Sequence, residues 1–158
     1  EQAAAAAIGG RMAEFSDFLC RSGAVDRIGG TASGTVALHN SCHSYRELRL
    51  EDQAERVARR IEGCTWAQPE GEPVCCGFGG LFSIKYAPVA GAMAEKRLEA
   101  FTENHVDTLI SNDPGCIMHM RHEAEALGLS MNIVHLSEFL DTAMSAADSP
   151  VESSESRR

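Results

Sequence analysis

Thr35-Val36-Ala37-Leu38-His39-Asn40-Ser41-Cys42-His43 is the stretch on which the reading of the fold turns: a short buried-strand pattern over 35–39 that runs directly into a polar loop carrying a cysteine. On its N-terminal side, Gly29-Gly30-Thr31-Ala32-Ser33-Gly34 reads as a flexible connection. On its C-terminal side, Leu50, Ala54, Val57, Ala58 and Ile61 form an apolar stripe at helical spacing, which predicts a helix over about 50–62.

The alternation continues. A short strand is expected at 64–68, followed by the turn-rich segment 69–73 and the cysteine pair Cys75-Cys76. Pro88 suits the first turn of a helix over 88–103, with Val89, Met93 and Ala100 on its core side. Residues 106–111 read as the next strand. Pro114 then opens a helix that Gly128 can end near 127, and a strand at 132–136 leads into a helix at 137–146. The order β-α-β-α-β-α-β-α predicts an α/β three-layer sandwich, with a small, mostly parallel sheet flanked by helices.

Ile8, Met12, Phe15, Phe18 and Leu19 also recur at helical spacing, so 3–20 reads as one amphipathic helix. Residues 1–34 are thus a helix and linker leading into a domain over 35–144. The tail 145–158, rich in Ser, Glu and Asp, has too little apolar content to fold and is expected to be disordered. The chain starts Glu1-Gln2-Ala3, without an initiator methionine and inside a helical pattern, and so reads as a fragment of a longer protein.

Its 158 residues suit one domain with one core. A net charge of −9 argues against binding nucleic acid phosphates or an anionic membrane surface. No apolar run approaches the roughly 20 residues that span a bilayer, and no secretory signal is evident. A cytoplasmic, reducing setting is expected, where six cysteines point to metal or redox chemistry before disulfides.

The chemistry-bearing residues stand at the predicted sheet edge. Adjacent cysteines in Cys75-Cys76-Gly77-Phe78-Gly79-Gly80 are poorly explained by packing and well explained by ligation. Cys42 follows the strand ending at His39, and Cys116 follows the strand ending at Ser111, so both project from the carboxyl edge where open parallel sheets bind ligands. The 75–76 loop joins them there if it follows the strand at 64–68.

Cys116 falls in the first turn of a helix, where free N–H groups and the positive dipole end favour a thiolate. His119, three residues on, shares its face and is either a ligand or a backbone partner. His39 and His43 are weaker candidates, His39 as a residue supporting a ligand. Cys20 and Cys64 read as small core residues. A disulfide within Cys75-Cys76 would be strained, because adjacent Cα atoms sit about 3.8 Å apart, below the usual range. Gly-Phe-Gly-Gly lacks the spacing of a nucleotide loop.

His39-Asn40-Ser41-Cys42-His43, Cys75-Cys76-Gly77-Phe78-Gly79-Gly80-Leu81-Phe82-Ser83-Ile84-Lys85 and Asp113-Pro114-Gly115-Cys116-Ile117-Met118-His119 together resemble the cysteine-rich CCG-domain family. That family includes a component of heterodisulfide reductase and the iron-sulfur subunits of glycolate oxidase and anaerobic glycerol-3-phosphate dehydrogenase. The resemblance covers about 1–144 and is strongest to members serving lactate utilisation. It implies an iron-sulfur subunit, of the 4Fe-4S type, in a complex that oxidises L-lactate to pyruvate, with Cys42, Cys75, Cys76 and Cys116 as cluster ligands. The implied partners are the other subunits of that complex and an N-terminal CCG half of the same protein.

Many members have a C-x-x-C pair where this chain has Cys116-Ile117-Met118-His119, so one ligand is either absent or replaced by His119. Two other readings compete. One is thiol-disulfide chemistry like that of the heterodisulfide reductase relatives. The other is a structural module with zinc held by the four cysteines, or by three of them and His119.

Overall fold

A computed structural model describes residues 2–71 and 74–148. Strands β1 (Gly30–Thr31), β2 (Thr35–His39), β3 (Ile61–Glu62), β4 (Thr65–Trp66), β5 (Thr108–Ser111) and β6 (Asn132–His135) pair only in parallel. The main sheet has the order β4-β2-β5-β6, and β1 pairs with β3 in a separate two-stranded sheet. The helices are α1 (Gln2–Gly9), α2 (Phe15–Arg21), α3 (Gln53–Ala58), α4 (Leu81–Lys85), α5 (Ala87–Glu103), α6 (Pro114–Ala126) and α7 (Leu136–Asp148).

The expected three-layer α/β sandwich is the observed one, and strand alternation builds it. Val36 and Leu38 of β2, with Ile110 of β5, pack with residues of α3 and α7 in one core cluster. Ala37, Leu109 and Ile133 face the other way, onto Leu98 and Phe101 of α5 and Ile117 and Met120 of α6. Both faces of β2 and β5 are therefore covered, as parallel sheets require.

Register carries the geometry to the edge. His39 aligns with Ser111, and Ser111 with His135, so three strands end in one row. β4 is shorter, but the Gln68 amide extends it: its Oε1 accepts from the Leu38 N–H at 3.0 Å, and its Nε2 donates to the Leu38 carbonyl at 2.8 Å. The side chain stands in for two backbone groups and directs the chain to the same edge.

Some expectations shift. The helix expected over 3–20 is two, because Gly9-Gly10 closes α1 and the Glu14 carboxylate caps α2, accepting from the Asp17 N–H at 3.0 Å. Ile8, Met12, Phe15 and Phe18 are exposed, and only Leu19 of that stripe packs on the core. On α5 the buried residues are Ala90, Ala94, Arg97, Leu98 and Phe101, and Val89 is exposed. The inward face carries small alanines and one arginine, which an apolar pattern does not reveal. The helix over 50–62 shortens to α3, and α4 and the β1–β3 pair are additions to the expected order. α7 runs to Asp148, into the expected tail, and residues 149–158 of that tail lie outside the described residues.

Candidate metal centre

Three loops at the carboxyl edge bring the four expected cysteines together. Cys42 precedes a short π-helical turn, His43–Glu47, which Ser41 stabilises by accepting the Ser44 N–H at 3.1 Å. Cys116 lies in the first turn of α6. The Asp113 carboxylate caps that turn, accepting from the Gly115 and Cys116 N–H groups at 2.9 and 3.1 Å. The cysteine loop is wedged between two helices. A Cβ on Gly77, whose φ is +88°, would lie 2.6 Å from the Ala90 carbonyl oxygen of α5. A Cβ on Gly115 would lie 2.5 Å from the Phe78 ring, so the glycines at both ends of this contact permit the close approach.

The sulfurs form two pairs. Cys76 Sγ and Cys116 Sγ are 2.7 Å apart and buried; Cys75 Sγ and Cys42 Sγ are 4.0 Å apart and half-buried. The Gly77 N–H donates to Cys75 Sγ at 3.4 Å. All six cysteines are free thiols.

Their proximity makes the protons interdependent. The hydrogen bond from Cys116, aided by His39 and opposed by burial, draws the Cys76 thiol down to about 5. The same hydrogen bond, together with burial, pushes Cys116 up. Cys42 is also raised, by burial first and then by Cys75. Four thiols gathered from separate loops on one sheet edge are the donors that a metal or cluster binds in deprotonated form.

The histidine at the sulfurs is His39. It is fully buried, and a ring nitrogen of His39 and the sulfurs of Cys76 and Cys116 all lie within 4.8 Å of one another. Arg97 Nε of α5, also buried, donates to His39 Nδ1 at 3.3 Å. Among the described residues His39 Nε2 has no hydrogen-bond partner. His119 is directed elsewhere: its Nε2 lies 3.2 Å from the Ala90 carbonyl, tying α6 to α5, and its ring packs near Phe78 with centroids 6.2 Å apart. His43 is exposed, while His135 caps α7 by accepting the Ser137 N–H at 3.1 Å. Cys20 and Cys64 are half-buried against the core on the opposite face of the sheet.

Sequence spacing favours His119 and underweights His39. Alternation along β2 is the available signal, since it puts His39 with Ala37 on the face that packs against α5 and α6. Arg97 has no such signal, because nothing in the sequence separates a buried arginine from a surface one.

The profile of the cysteine-rich domain, CCG, matches residues 36–121. The chain is similar to proteins named lactate utilization protein A. It is 28% identical over 137 residues to that of Lysinibacillus sphaericus, across 87% of this chain and 60% of the relative. It is 30% identical over 129 residues to those of Bacillus cereus and Bacillus cytotoxicus, across 82% of this chain and 54% of each relative. The chain thus spans little more than half the length of these relatives.

Proposed function

Because this chain belongs to the cysteine-rich CCG domain family, we propose that it is an iron-sulfur electron-transfer subunit, or part of one, in a system that oxidises L-lactate to pyruvate. The observation that carries this reading is the convergence of Cys42, Cys75, Cys76 and Cys116 from three separate loops on one sheet edge. Thiolates are the ligands that hold such clusters, and the Gly77 N–H beside Cys75 is the kind of donor that tunes them. When bound, a cluster would accept and pass on single electrons; the chain would supply ligation, shielding and hydrogen bonds. The lactate assignment draws on the names of the relatives. In this reading the two-electron, two-proton oxidation of lactate takes place on partner subunits, and the rest of the longer protein supplies a further cysteine-rich half.

One observation favours a second reading. His39 beside Cys76 and Cys116, with another cysteine, would make a four-coordinate zinc site of purely structural value. Iron, zinc and acid-labile sulfide content of protein purified without oxygen decides between them. Brown protein with iron and matching sulfide supports electron transfer, whereas colourless protein with stoichiometric zinc and no sulfide establishes the structural site. Cys76→Ser should lose the bound metal in either case, and full retention would refute the ligand assignment.

A further inference from the structure

We infer that Arg97 is a positioning residue whose guanidinium holds His39 as a hydrogen-bond donor toward Cys76 and Cys116, leaving metal binding to the thiolates and not to the imidazole. This role rests on the reading of those cysteines as metal ligands and concerns how the imidazole serves them.

A guanidinium has donors and no acceptor, so the 3.3 Å contact between Arg97 Nε and His39 Nδ1 makes Nδ1 the acceptor. A neutral imidazole then carries its hydrogen on Nε2. That nitrogen is buried and without a partner among the described residues, in a ring that reaches within 4.8 Å of two sulfurs. On that nitrogen, the N–H would have a ligand sulfur as its acceptor.

Metal binding through Nε2 needs the lone pair on that nitrogen. The hydrogen would have to move to Nδ1, where it would meet the Arg97 N–H head-on across 3.3 Å. Arg97 cannot readily withdraw. It is buried on α5 between Ala94 and Phe101, and its guanidinium carbon lies 4.0 Å from the Phe101 ring centroid. Alternation along β2 fixes the other partner, because His39 must face α5 when Val36 and Leu38 face the opposite layer. The result is a buried cation one imidazole away from sulfurs that carry negative charge when they bind metal, with the imidazole relaying an N–H to them. Such contacts orient ligands and tune the bound group.

The test is imidazole nitrogen NMR on the uniformly 15N-labelled chain, metal-free and loaded with zinc. His39 should carry its proton on Nε2 and leave Nδ1 unprotonated in both states. A proton on Nδ1 in either state, or a metal-shifted Nε2 in the zinc form, overturns the inference. His39→Gln is the second arm, because its amide can also donate to sulfur but is a poor zinc ligand. The donor role predicts wild-type zinc stoichiometry in this variant, and loss of zinc overturns it. In Arg97→Met, which removes the donor, the preference for Nε2 should weaken or reverse; an unchanged tautomer would show that Arg97 does not set it. Should the wild-type chain take up neither zinc nor iron, the metal reading falls, while the tautomer of metal-free protein still decides the role of Arg97.

Discussion

Replacing Gly77 with alanine tests whether the cysteine loop is held by its close approach to α5. Two costs add. At φ +88° a side chain meets backbone strain of about 1–2 kcal/mol. The new Cβ would also lie 2.6 Å from the Ala90 carbonyl oxygen and 2.9 Å from Met93 Cβ. That oxygen is fixed twice over, by the helix and by the His119 contact at 3.2 Å, so relief must come from the loop at an overpacking cost of about 1–3 kcal/mol. The sum is about 2–5 kcal/mol, or roughly 4–20 °C in Tm at about 2–4 °C per kcal/mol for a chain of this size. Gly128→Ala is the matched control, because Gly128 has φ +67° but nothing within 4 Å of an added Cβ. It should cost only the strain of about 1–2 kcal/mol. The assay is thermal and urea unfolding of both variants without metal, followed by metal content after anaerobic loading. Gly77→Ala should be the less stable by at least about 1 kcal/mol and should lose bound metal, because Cys76 moves away from Cys116. Equal stability of the two variants, with full metal in Gly77→Ala, would refute the wedge.

Asp113→Ala removes the cap of α6 and should cost about 1 kcal/mol while weakening metal uptake through Cys116; Asp113→Asn should restore most of the loss in the same unfolding and metal assays. Leu98→Ala, fully buried against the sheet, should cost about 2–5 kcal/mol by urea unfolding and leave metal stoichiometry unchanged below its melt, since Leu98 supplies no ligand atom. Glu138 accepts the His135 N–H at 2.9 Å and faces Arg121, and the backbone hydrogen bond first, then Arg121, holds its carboxyl below the usual 4.5. A depressed folded value means its contribution is present above 4.5 and lost as pH falls through the folded value. The Tm of Glu138→Gln should therefore fall below wild type at neutral pH and converge with it in acid; parallel curves would remove Glu138 from the cap.

Thr35–His39 is legible in the sequence because a short apolar run between a glycine-rich link and a polar loop has few other solutions, and Pro114 and Gly128 bound α6 by backbone chemistry alone. The four cysteines are legible as one site because strand-helix alternation sends successive loops to the same edge. The face of α5 is not. Ala90 and Ala94 are too small to stand out, and Arg97 counts as polar in any periodicity reading, yet these residues admit the cysteine loop and hold His39.

Residue order alone thus dictates the βα succession, the parallel sheet and the identity of the thiols that meet at its edge, because these depend on local patterning and on the handed, repetitive path of the chain. Packing in three dimensions sets the pairing of Cys42 with Cys75 and Cys76 with Cys116, and the choice of His39 over His119. Those outcomes depend on distances between residues remote in sequence, set by how closely Gly77 lets the loop approach Ala90 and by a buried arginine that no local pattern announces.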